Sequence, residues 1–286
     1  MKEFRRLRFR CSRPLITACS LAAALLFPAL GAQADSDWTL TGLPKHTEQH
    51  TYDHSTSRVS ANEAIFRVGY GSYVLHCHGS GLDGEGTRFS FDLRGLGSPI
   101  EVDGRIYVLS AGHVFDVPTA LATRGVSLAA STIGPPEYFF EVQGRRVELE
   151  RLDDGNLDLA LFAPRRREAA FPTGAYHCGD SEDLSPGAAV LCWGMPLLEG
   201  FELSTGIVSA VAAPHSLIQA SFPEAAPEDF FVTSMPTIFG CSGALVYAFR
   251  NGSPEIVGML VAGYLNIGRS VVYKINSILR DTTAFR

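Results

Sequence analysis

Several things are scarce in this 286-residue sequence, and each scarcity excludes a class of protein. The apolar run at residues 15–30 is interrupted by Pro28 and falls short of the roughly 20 residues that a membrane-spanning helix needs. No repeat of 20–50 residues is visible, so a solenoid or propeller is excluded. Helical periodicity is weak outside residues 275–280, which argues against an all-helical domain. No two cysteines beyond the N-terminal region stand at the close spacing of a structural zinc site.

Positive charge is scarce too, except at the start. Lys2, Arg5, Arg6, Arg8, Arg10 and Arg13 face a single acid, Glu3, and the apolar run then closes on Ala32-Gln33-Ala34. A basic stretch, a short apolar run and small residues at this spacing make a secretory signal peptide, residues 1–34, cleaved after Ala34. Arg5-Arg6 fits the twin-arginine pattern poorly, and Cys19 precedes most of the apolar run where a lipidated cysteine would follow it. The expected location is therefore periplasmic or secreted, with no stable membrane insertion after cleavage. Without residues 1–34, 252 residues remain with 18 basic against 29 acidic, a net charge of −11. That balance argues against nucleic acid or an anionic membrane as partner. The length suits one large all-β domain or two closely packed halves.

What is present is a succession of short β-rich runs separated by glycine and proline turns. Residues 35–62 carry no apolar period and read as an extended polar arm. From residue 64 onward come runs such as Tyr73-Val74-Leu75, Arg105-Ile106-Tyr107-Val108-Leu109 and Leu159-Ala160-Leu161-Phe162. Others are Ala188-Ala189-Val190-Leu191, Ala244-Leu245-Val246-Tyr247 and Ser270-Val271-Val272-Tyr273. Many short strands at this spacing indicate a sandwich or a barrel. Residues 164–173, which include Arg165-Arg166-Arg167, read as a solvated connection between two halves. Four cysteines, Cys77, Cys178, Cys192 and Cys241, allow three disulfide pairings in an exported protein and the sequence does not choose among them; Cys178 and Cys192 flank a short turn-containing segment and could pair if their strands are neighbours. His46, His50 and His54 recur every four residues and His76 and His78 alternate, but the arm is too polar and Thr-rich for a helix. They read as solvated side chains, and neither a metal nor a cofactor is expected.

Three local patterns carry chemistry. Tyr107-Val108-Leu109-Ser110-Ala111-Gly112-His113 is a buried strand ending in Gly-His; Leu157-Asp158-Leu159-Ala160-Leu161 sets an acid in an apolar run; Gly240-Cys241-Ser242-Gly243-Ala244 places a serine between glycines. Singly each has an ordinary explanation as a turn or a strand start. Together they fit nucleophilic catalysis. A serine hydroxyl is a poor nucleophile until a base removes its proton, and His113 supplies such a base for Ser242. Asp158 would fix the imidazole tautomer and stabilise the cation that forms. The N–H groups of Gly240 and Ser242 would converge on the developing oxyanion. The order His, Asp, Ser is that of chymotrypsin-like enzymes, not of subtilisins or α/β-hydrolases.

These motifs resemble the histidine, aspartate and nucleophile motifs of trypsin-like peptidases. The segment between them is similar to bacterial HtrA-like proteases: Gly179-Asp180-Ser181, Pro186-Gly187, Gly194-Met195-Pro196 and Ser204-Thr205-Gly206-Ile207-Val208-Ser209. The resemblance covers roughly residues 65–280 and implies an all-β fold of two packed six-stranded antiparallel barrels with a short C-terminal helix. The first barrel is expected at about 63–165 and the second at about 174–286, with the triad in the cleft between them. It implies a serine endopeptidase acting on protein or peptide substrates through an acyl-enzyme. Val261, Ala262 and Gly263 would form the wall of the primary specificity pocket and Pro236 would lie near its base, favouring small or medium apolar side chains.

The sequence also departs from the family. Pro99 interrupts a Gly-Ser-Gly turn, Ala244 replaces a frequent glycine, and residues 76–96 look like an insertion before the histidine motif. The length after residue 280 leaves no room for the PDZ domain common in HtrA-like proteins, so PDZ-mediated assembly and activation are not expected. Cys241, next to Ser242, reads as a buried small residue or a disulfide partner, although a thiol is intrinsically the better nucleophile. Two rival functions stand beside the peptidase: a non-catalytic binding protein on the same fold, and an esterase with the same triad.

Overall fold

In the computed structural model, the apolar runs at residues 107–111 and 159–162 are continuous because each strand has two cores to fill. The structure describes residues 52–53, 72–122, 133–142, 144–152, 158–166, 177–219, 222–223, 225–264 and 267–285. Val108, Ala160 and Phe162 point into one barrel, whereas Tyr107, Leu109, Leu159 and Leu161 point out of it into a second apolar cluster. A strand buried on both faces reads as an unbroken apolar run instead of an alternating one.

The first barrel comprises β1 (Tyr73–Leu82), β2 (Arg88–Val102), β3 (Arg105–Ala111), β4 (Glu137–Val142), β5 (Arg145–Leu152) and β6 (Leu159–Pro164). Its strands close in the order β1-β2-β3-β6-β5-β4, all pairs antiparallel. The second barrel comprises β7 (Ala189–Gly194), β8 (Glu202–Ala210), β9 (Phe230–Thr233), β10 (Leu245–Arg250), β11 (Ser253–Tyr264) and β12 (Arg269–Lys274). It closes in the order β10-β11-β12-β9-β8-β7. Two closed six-stranded barrels followed by a short helix, Ile275–Asp281, are the chymotrypsin-like architecture. Closure removes the exposed strand edges that would otherwise invite aggregation.

Three apolar clusters hold the two barrels together. The first barrel packs Phe89, Phe91, Leu93, Phe140 and Phe162 inside; the second packs Val190, Phe231, Val246, Val257 and Val272 inside. The third cluster joins Ile100, Leu109 and Leu161 of the first barrel to Leu245, Met259 and Tyr273 of the second, and to Ile275 and Ile278 of the terminal helix. Phe285 stacks edge-on against Tyr107, whose hydroxyl donates to the Ala284 carbonyl at 3.3 Å, so the chain end is fastened across to the first barrel.

Two sequence expectations change here. Residues 76–96 are no insertion: they are barrel wall, the paired β1 and β2, and Phe89, Phe91 and Leu93 alternate inward with exposed Ser90, Asp92 and Arg94. Within the segment read as a polar arm, Tyr52 is buried and its hydroxyl donates to Glu255 Oε2 at 2.9 Å, with the Arg250 guanidinium over its ring. Asp53 N donates to the Phe249 carbonyl at 2.7 Å and Asp53 O accepts from Ala189 N at 2.9 Å, so this stretch is fastened to the second barrel. The signal segment, His46, His50 and His54 lie outside the described residues.

Candidate active site

His113 follows β3 in a short 3₁₀ turn, Gly112–Phe115. Phe115 anchors the turn in the first barrel, edge-on to Phe162 at 5.7 Å, and leaves the His113 side chain 49% exposed. Asp158 immediately precedes β6, the neighbour of β3, and the antiparallel register pairs Ala111 with Leu159. Pairing alone therefore sets the His113 turn opposite Asp158. The carboxylate accepts twice: from the His113 backbone N–H through Oδ1 at 2.6 Å, and from His113 Nδ1 through Oδ2 at 2.6 Å. A carboxylate can only accept here, so Nδ1 carries the proton and Nε2 is left as the basic nitrogen. The approach is tight. A Cβ on Gly112 would lie 3.0 Å from the Leu159 nitrogen and 3.2 Å from Asp158 Oδ1.

Ser242 comes from the second barrel, in the turn just before β10. Its neighbour Gly243, at φ +87°, donates its N–H to the Leu260 carbonyl at 2.9 Å and rests against the first barrel. A Cβ on Gly243 would lie 2.7 Å from the Leu96 carbonyl oxygen, 2.8 Å from Ser110 Oγ and 3.0 Å from the Ala111 nitrogen. Ser110 Oγ in turn donates to the Leu96 carbonyl. The Ser242 turn thus meets the strand that leads into His113. Among the described residues Ser242 Oγ makes no hydrogen bond.

Cys241 points the other way. It is buried in the second barrel, with its Sγ 2.5 Å from where a Gly194 Cβ would sit. Burial holds its thiol above the usual range, against smaller opposing contributions from backbone groups at Ile238 and Met195. The thiolate is the reactive form, so burial works against Cys241 as a nucleophile. Cys77, Cys178, Cys192 and Cys241 are all free thiols. The sequence pairing of Cys178 with Cys192 is not formed: Cys178 bridges to Ile256, and Cys192 lies between Ser204 and Val246.

Gly240, at φ +96°, is covered by the 195–198 loop, where a Cβ would meet the Met195 carbonyl at 2.2 Å. Among the described residues, neither Gly240 N–H nor Ser242 N–H donates a hydrogen bond. Of the four residues assigned to the pocket, Val261 is buried in the cluster between the barrels, and Pro236 is exposed with its carbonyl accepting from Ser204 Oγ at 3.0 Å. Ala262 and Gly263 lie on β11, and a Gly263 Cβ would sit 2.8 Å from both Thr237 O and Thr237 Oγ1. Thr237 and Ser270, which the sequence did not single out, lie beside Gly263 and bond to each other. Ser270 Oγ donates to the Met235 carbonyl at 2.7 Å, so the 2.6 Å contact between the two hydroxyls is a donation from Thr237. Both side-chain protons are thereby used within the protein. His76 sits beside Asp92 at 3.4 Å and stacks on Phe139; no metal-binding group of three or more ligands exists among the described residues.

The family model for the trypsin-like peptidase domain matches residues 95–259, more than half of the chain, and spans all three motifs. Among solved structures, the HtrA-type protease AlgW with a decapeptide superposes with a TM-score of 0.56 at 18% identity, covering 79% of this chain and 67% of that one. The same protease with a tripeptide gives a TM-score of 0.52 at 17% identity, covering 79% and 62%. The chain therefore spans about two thirds of the length of these neighbours, and at such identity the likeness concerns the fold. No curated protein sequence matches.

Proposed function

The chain belongs to the trypsin-like peptidase family, and from that premise we propose that it is an exported serine endopeptidase with His113, Asp158 and Ser242 as its triad. One observation carries the reading. The Asp158 carboxylate grips both the backbone N–H and the Nδ1–H of His113, while the turn bearing Ser242 abuts the strand that delivers His113.

The chemistry follows from that arrangement. Ser242 Oγ attacks the scissile carbonyl carbon as its proton passes to His113 Nε2, and the carbonyl oxygen becomes an oxyanion. Gly240 N–H and Ser242 N–H donate to that oxyanion, each such donor being worth roughly 3–4 kcal/mol in comparable sites. Collapse breaks the C–N bond, and His113 returns the proton to the leaving amine. Water then hydrolyses the Ser242 ester by the same proton route in reverse. Asp158 holds the imidazole in one tautomer throughout and stabilises its cation. The substrate class is a protein or peptide strand, consistent with the peptides bound to the AlgW structures.

In this reading residues 1–34 are removed on export, and the mature enzyme begins with an arm fastened at Tyr52. Mature protein is expected to cut an unfolded protein such as reduced casein into peptides, and Ser242→Ala to leave it intact. Folded wild-type protein that leaves casein whole, as Ser242→Ala does, would favour the non-catalytic binder.

A further inference from the structure

Arg151 occupies a position that the strand period reserves for the interior of the first barrel. It lies at the end of β5, two residues after the buried Leu149, and is paired directly opposite Phe162 of β6. Leu149 and Phe162 both fill the barrel. Side chains of one strand alternate and directly paired residues share a face, so Arg151 is directed at the mouth of that interior. Its guanidinium donates to the Phe115 carbonyl at 3.1 Å and lies against the Tyr138 hydroxyl. Among the described residues it has no carboxylate partner. A guanidinium has more N–H donors than these two acceptors use, and a partly buried cation without a counter-charge is costly.

Arg151 borders a cavity of about 380 Å³, within the range of about 300–1,000 Å³ common to small-ligand sites. Its walls are apolar. Val117 and Pro118, from the short helix Val117–Ala122, form one side, and Ile133, Pro135 and Pro136, ahead of β4, form the other. The buried Phe115 and Tyr138 also line it, edge-on to each other at 6.3 Å. The prolines fix φ, which favours a cavity shaped before anything binds. Asp116 is the second charged residue lining it. It is exposed, its Oδ1 accepts from the Thr119 N–H at 3.3 Å, and it forms no ion pair with Arg151.

We propose that this cavity binds a carboxylate carried on an apolar body, with Arg151 holding the carboxylate. The planar guanidinium matches a carboxylate in a forked geometry, and the proline-rich walls take the apolar remainder. One cation faced by one exposed acid suits a single negative charge and disfavours a phosphate, which carries about −1.5 to −2 at neutral pH. A free acid and the C-terminal residue of a peptide share this chemistry. None of His113, Asp158 and Ser242 lines the cavity, so occupancy is measured without proteolysis and its failure leaves the peptidase reading in place.

The test is an NMR titration of mature protein with 3-phenylpropanoate, its uncharged match 3-phenylpropanamide, and phenyl phosphate as the dianion. The carboxylate is expected to bind about tenfold more tightly than either, as befits a charge-assisted hydrogen bond. Arg151→Met keeps the stem and removes the charge, and should weaken the carboxylate about tenfold while leaving the amide unchanged. Asp116→Asn should tighten the carboxylate about twofold. N-acetyl-leucyl-phenylalanine and its C-terminal amide, titrated into Ser242→Ala, separate the two sources. A peptide acid that binds more tightly than 3-phenylpropanoate supports a peptide terminus as occupant, and one that binds more weakly supports a free acid. Absence of binding at millimolar 3-phenylpropanoate, equal affinity for acid and amide, or an acid preference that survives Arg151→Met overturns the site. Should Arg151→Met fail to fold, the comparison of acid with amide on wild-type protein decides alone.

Discussion

Gly243 of the second barrel stands on the Leu96 carbonyl of the first, at a distance that leaves no room for a methyl group. A Cβ there would lie 2.7 Å from the Leu96 oxygen and 2.8 Å from Ser110 Oγ, with the backbone at φ +87°. Gly243→Ala is therefore expected to push the Ser242 turn away from His113. Misplacement by about 1 Å costs on the order of 100-fold in rate, and the left-handed backbone adds roughly 1–2 kcal/mol of strain. Casein-derived peptide cleavage and thermal unfolding measured together would check this; a variant with wild-type kcat/KM contradicts the close approach as a positioning device.

Asp158 holds His113 at two points, and one substitution separates orientation from charge. Asp158→Asn keeps the size of the side chain but offers an N–H to one of two groups that themselves donate. The imidazole then adopts the other tautomer, and kcat is expected to fall about 10⁴-fold with little change in fold. A fall of less than tenfold would show that Asp158 is not the orienting acid.

The buried thiols make a prediction about pH. Burial, with neighbouring Cys241, pushes Cys192 up to about 12 from 9.0, and burial pushes Cys77 up to about 12. Each folded value lies above the unfolded one, so the native state retains protons that the unfolded chain releases. The associated stability is complete below pH 9 and is lost as pH rises towards 12. At pH 8 native protein should leave Cys77, Cys192 and Cys241 unmodified by an alkylating reagent. Above pH 9 the thermal midpoint should fall while thiol modification rises in step. Rapid modification of Cys241 at pH 8 in folded protein contradicts its burial.

Much of this arrangement was legible because strands with two buried faces write their burial directly into sequence. The runs before His113 and after Asp158 are such strands, and their register alone makes those residues meet. The β1–β2 wall was misread because Asp92, Arg94 and Gly95 interrupt it, although the inward Phe89, Phe91 and Leu93 keep a strict period of two. Tyr52 was hidden for a different reason: one aromatic residue in a polar stretch has no periodicity to reveal that it fills a slot against Arg250 and Glu255. The surroundings of Gly263 were the least legible part. Thr237 and Ser270 lie far apart in sequence and meet only through barrel closure.

The central claim is that Ser242 is a nucleophile activated by His113, and covalent labelling tests it most directly. Mature protein treated with a fluorophosphonate probe should carry one adduct, mapped by peptide mass spectrometry to Ser242. The adduct should vanish in Ser242→Ala, become slower by orders of magnitude in His113→Ala, and persist in Cys241→Ala. Folded wild-type protein without an adduct, or an adduct that survives Ser242→Ala and disappears in Cys241→Ala, contradicts the account.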